Sequence, residues 1–254
     1  MFRSVYALGG DSDSDDTLPA MLRPRLSDLF DTWIDMPLAP DIDSRLAQLE
    51  ALVPQGEAAQ RVMLLGRSAG ARVVSTFAAR HEVGAVVCLS YPFRMPNRRL
   101  EPERFIHLAE IAVPTLIVQG CRDEYGGLDV TEHYALSASV RLRFIDGDHA
   151  LAQTPVGLDA AAPLIRAFCE AVSKGDAFPP PCFDEAFYRR THSRAAREIA
   201  AGRYRSAEQH YNEVGRQEQL AYRLLPEPAQ PLATPARSAG SGTTRPSSAR
   251  RRSS

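Results

Sequence analysis

The sequence is 254 residues long, with 44% apolar residues, 24% charged residues and a formal net charge of −1. This composition is typical of a globular protein, and the balanced charge gives no reason to expect a nucleic acid or an anionic membrane as partner. No apolar run approaches the roughly 20 residues that a membrane-spanning helix needs. The first residues also lack the apolar stretch of a signal peptide, so we expect a cytoplasmic protein.

The cysteine pattern favours free thiols. Cys88, Cys121, Cys169 and Cys182 form no C-x-x-C pair. Spacing of that kind is what zinc sites and redox motifs require, and disulfide frameworks belong mainly to small secreted domains. We therefore expect reduced, partly buried cysteines and no metal.

Apolar segments alternate with segments of helical spacing over most of the chain. The predicted strands cover residues 5–8, 32–36, 62–65, 85–89, 115–118 and 140–145, and the predicted helices 17–31, 42–53, 69–80, 102–111, 129–137 and 155–173. Pro24 in the first helix predicts a kink or a late start. Nearly continuous apolar strands are typical of parallel sheets covered on both faces. We predict an α/β fold, a doubly wound sheet of six or seven mainly parallel strands.

The composition changes after the prolines at 179–181. Residues 183–219 predict two or three short helices, with Gly202 and Gly215 as helix ends. Residues 226–254 are rich in proline, serine and arginine, which predicts a disordered basic tail. The expected organisation is a main domain over 1–175, a small helical appendage over 183–219 and the tail.

A serine motif stands between the third predicted strand and the helix that follows it. Gly66, Ser68 and Gly70 form G-x-S-x-G, the pattern of a nucleophile elbow. The alternative is an ordinary glycine turn with a surface serine. If Ser68 is a nucleophile, the N–H of Ala69 at the helix N-terminus is a candidate donor to an oxyanion. The turn after the first strand, at Gly10, is a candidate for the second donor.

Two further polar side chains follow later strands. Asp123 comes after the strand at 115–118, and His149 comes after the strand at 140–145. Parallel strands place their carboxyl ends at one edge of the sheet, so both are expected near Ser68. The chain order serine, acid, histidine is that of α/β-hydrolases. We expect His149 as the base and Asp123 as the acid, with Asp146 and Asp148 as competing acids.

The candidate substrate contacts lie close to the serine motif. Tyr91, Phe93 and Met95 leave the strand after the elbow helix, where they either line a pocket or pack in the core. Arg67 stands beside the serine, as a solvated charge or as a ligand for a substrate carboxylate.

Three motifs together resemble a known family. Residues 66–72, 113–123 and 145–149 are similar to those of small bacterial α/β-hydrolases, lidless relatives of the dienelactone-hydrolase type. They are also similar to the testis-expressed and nonspecific-lethal-complex hydrolase-like domains of animals. The resemblance covers about residues 1–175. It implies the same Ser-Asp-His triad, a serine hydrolase fold, and no metal or organic cofactor.

The chain departs from that family at the first turn. Gly9 stands where relatives usually have histidine, and the acidic loop 11–16 follows. Carboxylates near an oxyanion would oppose catalysis or select a cationic substrate. Alternating aspartates also suggest a calcium loop, but Leu22 stands where its glutamate is needed.

The appendage at 183–219 resembles a short helical motif found in bacterial multidomain proteins, beside glycosyltransferase or methyltransferase modules of surface-polysaccharide pathways. It suggests a docking role toward a protein partner. The sequence as a whole predicts a serine hydrolase that acts, through an acyl-enzyme, on a small or carbohydrate-linked ester. The alternative is a non-catalytic scaffold or binding module with a hydrolase fold in a polysaccharide-assembly system.

Overall fold

A computed structural model describes residues 1–11, 17–37, 39–176, 182–183, 185–215, 217–218, 220 and 224–225. Most of the acidic loop, the prolines at 179–181 and the basic tail therefore lie outside the described residues. The strands are β1 Ser4–Leu8, β2 Thr32–Asp35, β3 Val62–Arg67, β4 Ala85–Leu89, β5 Thr115–Gly120, β6 Val140–Ile145, β7 Cys182–Phe183 and β8 Leu224–Leu225. The helices are α1 Thr17–Leu26, α2 Ile42–Leu52, α3 Ala69–Ala78, α4 Val130–His133, α5 Pro155–Lys174, α6 Glu185–Thr191, α7 Ser193–Ala200 and α8 Ala207–His210.

The main sheet has six strands in the order β2-β1-β3-β4-β5-β6, and every neighbouring pair is parallel. The predicted α/β class is therefore confirmed. Strands β3, β4 and β5 are buried along their whole length. This is why their sequences are mostly apolar rather than alternating between apolar and polar residues. The two-residue strands β7 and β8 pair antiparallel in a separate small sheet.

Helices cover both faces of the sheet. One buried cluster joins the sheet to α1 and α5, through residues such as Leu22, Leu26 and Phe168. The other joins the opposite face to α2 and α3, through residues such as Leu49 and Phe77. Alternate residues along each strand point to opposite faces, so Met63 belongs to the first cluster and Leu64 to the second. The two layers hold the strands rigidly, and the strand ends position the polar loops.

Three predicted helices are shorter than expected. The first ends at Leu26, two residues after Pro24. The predicted helix at 102–111 consists of two 3-10 turns, Pro102–Arg104 and Ile106–Ala109. The helix at 129–137 is the four-residue α4, because Ser137 donates to the carbonyls of residues 108 and 111 instead of continuing the helix. Hydrogen bonds to distant segments overrode local helix propensity there.

The C-terminal helices pack on the α2 and α3 face. Tyr188, Ile199 and Tyr211 are buried members of the same cluster as that face of the sheet. Tyr188 donates to or accepts from Nδ1 of His210 at 2.9 Å, and Glu198 lies 3.2 Å from the other ring nitrogen. None of the described helices is both long and apolar enough to cross a lipid bilayer.

Candidate active site

The turn between β3 and α3 holds Ser68 in a conformation that side chains rarely adopt. Its φ is 51° and its ψ is −119°. A non-glycine residue at positive φ is uncommon and strained, and such strain concentrates at functional sites. The conformation places Ser68 outside both the strand and the helix, at the carboxyl edge of the sheet. This is the geometry expected of a nucleophile elbow.

Backbone crowding explains the two glycines of the motif. A Cβ on Gly66 would lie 2.4 Å from the carbonyl oxygen of Gly70. A Cβ on Gly70 would lie 2.3 Å from the carbonyl oxygen of Gly9. Both obstacles are backbone atoms, which cannot move aside as a flexible side chain can. The glycines are therefore required by close packing of α3 against β3 and the end of β1.

His149 reaches the serine from the end of β6. Its Nε2 lies 3.0 Å from Oγ of Ser68. The loop before it is fixed by Asp148, whose carboxylate accepts a hydrogen bond from the Ala150 N–H at 2.9 Å. The side chain of Tyr125 packs on the imidazole, with ring centroids 4.1 Å apart. These contacts define the position of the imidazole relative to the hydroxyl.

Asp123 lies on the other side of the imidazole. Its carboxylate oxygens are 2.9 and 3.1 Å from Nδ1 of His149, and the residue is only 2% exposed. A carboxylate accepts only, so Nδ1 carries a proton; in the imidazole tautomer protonated there, Nε2 is the acceptor that faces Ser68. The structure thus joins the three predicted residues in one chain of hydrogen bonds.

The two competing acids have other partners. Asp146 pairs with the guanidinium of Arg122, and Asp148 caps the turn described above. Neither of these two carboxylates contacts the His149 ring. Among the three candidates, Asp123 alone meets the imidazole within the described residues.

Gln119 is a site residue that the sequence did not single out. Its Nε2 donates to Asp123 at 2.8 Å and to the Tyr91 carbonyl at 3.1 Å, while its Oε1 accepts from the Tyr91 N–H at 2.7 Å. The Tyr125 N–H supplies a further hydrogen bond to Asp123 at 2.8 Å. The sequence did contain a signal for this role: Gln119 is a polar side chain in a mostly apolar strand. A buried amide needs hydrogen-bond partners, which points to other polar groups nearby.

The two candidate oxyanion donors lie beside the serine motif. Ala69 is the first residue of α3, so its N–H has no carbonyl one turn earlier in its own helix. Gly10 follows β1, which pairs directly with β3. Asp11, the first residue of the acidic loop, is exposed and lies 3.3 Å from the buried guanidinium of Arg45.

A pocket of about 440 Å³ opens at Ser68. It is lined by Asp11, Arg67, Ser68, Ala69, Arg72, Pro92, Met95, Arg104, Tyr125, His149 and Gln153. Arg67 and Met95 thus line the pocket beside Ser68. A site of this size and openness suits a small substrate or one end of a larger one.

Tyr91 and Phe93 require a correction, since the structure places them in the core and not on the pocket wall. Both are 0% exposed, with ring centroids 4.7 Å apart. The Tyr91 hydroxyl donates to the carbonyl of Arg104, and burial raises its pKa. The residue types fit a pocket and a core equally, so only the packing distinguishes the two.

Arg67 is 3% exposed, and its Nη2 donates a hydrogen bond to the His149 carbonyl at 3.2 Å. Burial lowers the pKa of its guanidinium, and the negative charge of Asp123 acts in the opposite direction. Arg67 thus fixes the backbone of His149 as well as lining the pocket.

No metal ligand set is found in the part of the chain that the structure describes, since it contains no group of three or more His, Cys, Asp or Glu side chains in a suitable arrangement. Cys88, Cys121 and Cys169 are buried and free. Burial raises the pKa of the Cys169 thiol to about 12. These thiols are poor ligands and poor nucleophiles.

Fold and sequence comparison agree on the class of protein. Residues 38–173 match the sequence model of a family described as "Alpha/beta hydrolase domain". The chain belongs to this α/β-hydrolase family, and its sheet carries the hydrolase arrangement of strands. No curated protein matches the chain in sequence.

Solved structures show the same fold. A structure from Xanthomonas campestris pv. campestris, described as of the alpha/beta hydrolase superfamily, is 23% identical and has a TM-score of 0.50, over 68% of this chain and 98% of its own. A bacterial membrane phospholipase A is 15% identical with a TM-score of 0.51, over 68% and 80%. Mouse alpha/beta hydrolase domain-containing protein 10 is 12% identical with a TM-score of 0.50, over 68% and 90%. At these identities the likeness concerns the fold.

Proposed function

We propose that this protein is a serine hydrolase that cleaves small or carbohydrate-linked esters through an acyl-enzyme. The observation that carries the proposal is the hydrogen-bonded chain from Ser68 to His149 to Asp123, built on a serine at positive φ. The family supplies the hydrolase class. The three residues supply a nucleophile, a base and a group that orients the base.

In the acylation step, Ser68 Oγ attacks the ester carbonyl while Nε2 of His149 takes its proton. The carbonyl oxygen becomes an oxyanion, which the N–H groups of Ala69 and Gly10 stabilise. The imidazolium gives its proton to the leaving alcohol as the C–O bond breaks. Asp123, held by Gln119, stabilises the imidazolium and keeps the neutral imidazole in the tautomer protonated on Nδ1.

Deacylation follows the same steps, with water in place of Ser68 as the nucleophile. His149 removes a proton from the water molecule as its oxygen attacks the acyl-enzyme carbonyl. The second oxyanion collapses, the bond to Ser68 Oγ breaks, and the imidazolium returns the proton to Oγ. The products are a carboxylic acid and the restored serine.

The proposal extends to the organisation of the chain. Residues 1–175 form the catalytic domain, and residues 183–219 serve as a docking segment for a protein partner in the cytoplasm.

Hydrolysis of 4-nitrophenyl esters of increasing acyl length tests the activity. We expect Ser68→Ala to lower kcat by at least about 10⁴-fold, since removal of a triad nucleophile typically has an effect of that order. Ser27→Ala, at an exposed serine outside the pocket, is the matched control and should leave kcat unchanged. A folded wild-type protein that hydrolyses none of the esters would instead favour the scaffold function.

A further inference from the structure

The pocket beside Ser68 carries an excess of positive charge among its described lining residues. Arg67, Arg72 and Arg104 line it, together with a single carboxylate, Asp11. That carboxylate lies against Arg45, which is outside the pocket lining. Among the residues that line the pocket, three arginines therefore stand against one carboxylate.

Arg72 is the member of this cluster that lies on α3. It lies one helical turn after Ser68, and its Nε is buried without a hydrogen-bond acceptor among the described residues. Its neighbour Arg104 is paired with Glu101. A buried donor without a partner is costly, so native proteins rarely keep one without a functional reason. The Nε of Arg72 is thus a buried donor for which the described residues supply no acceptor.

A buried polar cluster holds the backbone of both arginines. Oγ of Ser75 donates to the Arg72 carbonyl at 3.1 Å, and the Tyr91 hydroxyl donates to the Arg104 carbonyl. Both hydroxyls contact Nε2 of His107, at 2.8 Å and 3.5 Å. The 3-10 segment that carries Arg104 is therefore fixed against α3, which carries Arg72. Buried hydrogen bonds therefore fix the backbone of Arg72 relative to that of Arg104.

The two guanidinium groups also repel each other. Burial lowers the pKa of Arg72, and the positive charge of Arg104 lowers it further, while Glu101 and Asp11 act in the opposite direction. Repulsion between like charges is relieved when an anion lies between them. Arginine is suited to this role because its planar fork matches the oxygens of a carboxylate or phosphate.

We propose that Arg72 and Arg104 form an anion-binding subsite, so that the preferred substrate is an ester bearing a carboxylate or phosphate group near the scissile bond. This inference rests on the proposed hydrolase function, because it names the substrate class of the same pocket. The anionic group lies against Arg72, one turn along α3 from the nucleophile, and the ester carbonyl lies at Ser68.

Matched ester pairs test the proposal. Mono-4-nitrophenyl glutarate and 4-nitrophenyl valerate differ by a carboxylate on the acyl side, and 4-acetoxyphenyl phosphate and phenyl acetate differ by a phosphate on the alcohol side. The wild type should prefer the anionic member of at least one pair in kcat/KM, and the pair that responds identifies the anionic group. Arg72→Gln should lower that preference by about 10- to 100-fold, the usual effect of losing a charge-assisted hydrogen bond.

Two controls separate charge from folding. Arg61→Gln removes an exposed arginine at the opposite end of β3 and should leave the preference unchanged. Arg72→Lys keeps the charge and should retain part of the preference. Thermal unfolding of each variant shows whether it is folded. An Arg72→Gln preference equal to that of the wild type for both pairs overturns the subsite and leaves the hydrolase function standing.

A binding measurement keeps the subsite testable if no ester is hydrolysed, an outcome that would overturn the proposed function. Calorimetric titration of mono-4-nitrophenyl glutarate and 4-acetoxyphenyl phosphate into Ser68→Ala should show binding of one of them. Adding Arg72→Gln should weaken that binding at least 10-fold. No binding of either compound, or binding insensitive to Arg72→Gln, overturns the subsite.

Discussion

Asp123 and Asp146 are two carboxylates close in the fold with different partners. Asp123 is 2% exposed and meets Nδ1 of His149, whereas Asp146 pairs with Arg122 near the surface. Sequence spacing alone left both as candidates for the triad acid. The hydrogen bonds from Gln119 and the Tyr125 N–H distinguish them, because they fix Asp123 as a buried acceptor.

We expect Asp123→Asn to lower kcat by about 10⁴-fold, because the amide would favour the wrong imidazole tautomer. Asp146→Asn, the matched control, should change kcat less than about twofold. Steady-state ester kinetics at neutral pH measure both. Equal losses in the two variants, with both proteins folded, would show that Asp123 is not the triad acid.

Residue type and chain order are the basis of the triad hypothesis, whereas residue type alone did not identify the side chains that line the pocket. Serine, aspartate and histidine follow β3, β5 and β6 in the chain order of α/β-hydrolases, which predicts a common site at the carboxyl edge of the sheet. Tyr91 and Phe93 were ambiguous, since the same aromatic side chains serve a core and a pocket wall, and packing placed both in the core. Gln119 was missed because one buried amide in an apolar strand has no motif around it.

At the scale of elements, strands were easier to predict than short helices. Strands β4 and β6 have the bounds that the sequence predicted, 85–89 and 140–145. The 3-10 turns after residue 101 and the short α4 are determined by tertiary hydrogen bonds, which a local pattern does not contain. The same segment carries His107, whose contact with Ser75 links it to α3.

His107 makes stability depend on pH. Burial, with the charges of Arg72 and Arg80, lowers its pKa from 6.5 to about 4. Between these values the unfolded chain binds a proton that the folded protein does not, so the free energy of unfolding falls as pH drops through this window. Its contribution is fully present above pH 6.5.

We expect His107→Gln to remove that dependence. The decrease in unfolding free energy between pH 7.5 and 5.0 should be smaller in the variant by on the order of 1–2 kcal/mol. Urea unfolding at the two pH values measures the difference. His133→Gln, at an exposed histidine on α4, is the control. An identical decrease in the wild type and His107→Gln would contradict a depressed pKa.

At the scale of the whole molecule, the packing connects segments that composition separates. The proline-rich change near residue 180 predicts a boundary, and the C-terminal helices are too short to bury much surface alone. Their residues Tyr188, Ile199 and Tyr211 nevertheless belong to the buried cluster on the α2 and α3 face of the sheet. Sequence composition indicates where a chain changes character, but it does not contain the contacts across that change.

We expect Tyr188→Ala to lower the stability of the sheet as well as the helices, by about 3–5 kcal/mol, because a large buried side chain is lost. Trp33, the one tryptophan of the chain, lies on β2 and reports unfolding of the sheet by its fluorescence. Arg205→Ala, an exposed change in the same C-terminal segment, is the control. An unchanged Trp33 transition in Tyr188→Ala would show that the two parts unfold independently.

The central claim is that Ser68 is a nucleophile activated by His149, and covalent labelling with a fluorophosphonate tests it most directly. Intact-protein and peptide mass spectrometry of the wild type should show one adduct, located on Ser68. Labelling should be absent in Ser68→Ala and strongly slowed in His149→Ala. A folded wild-type protein that forms no adduct, or an adduct that persists equally in Ser68→Ala, would contradict the claim.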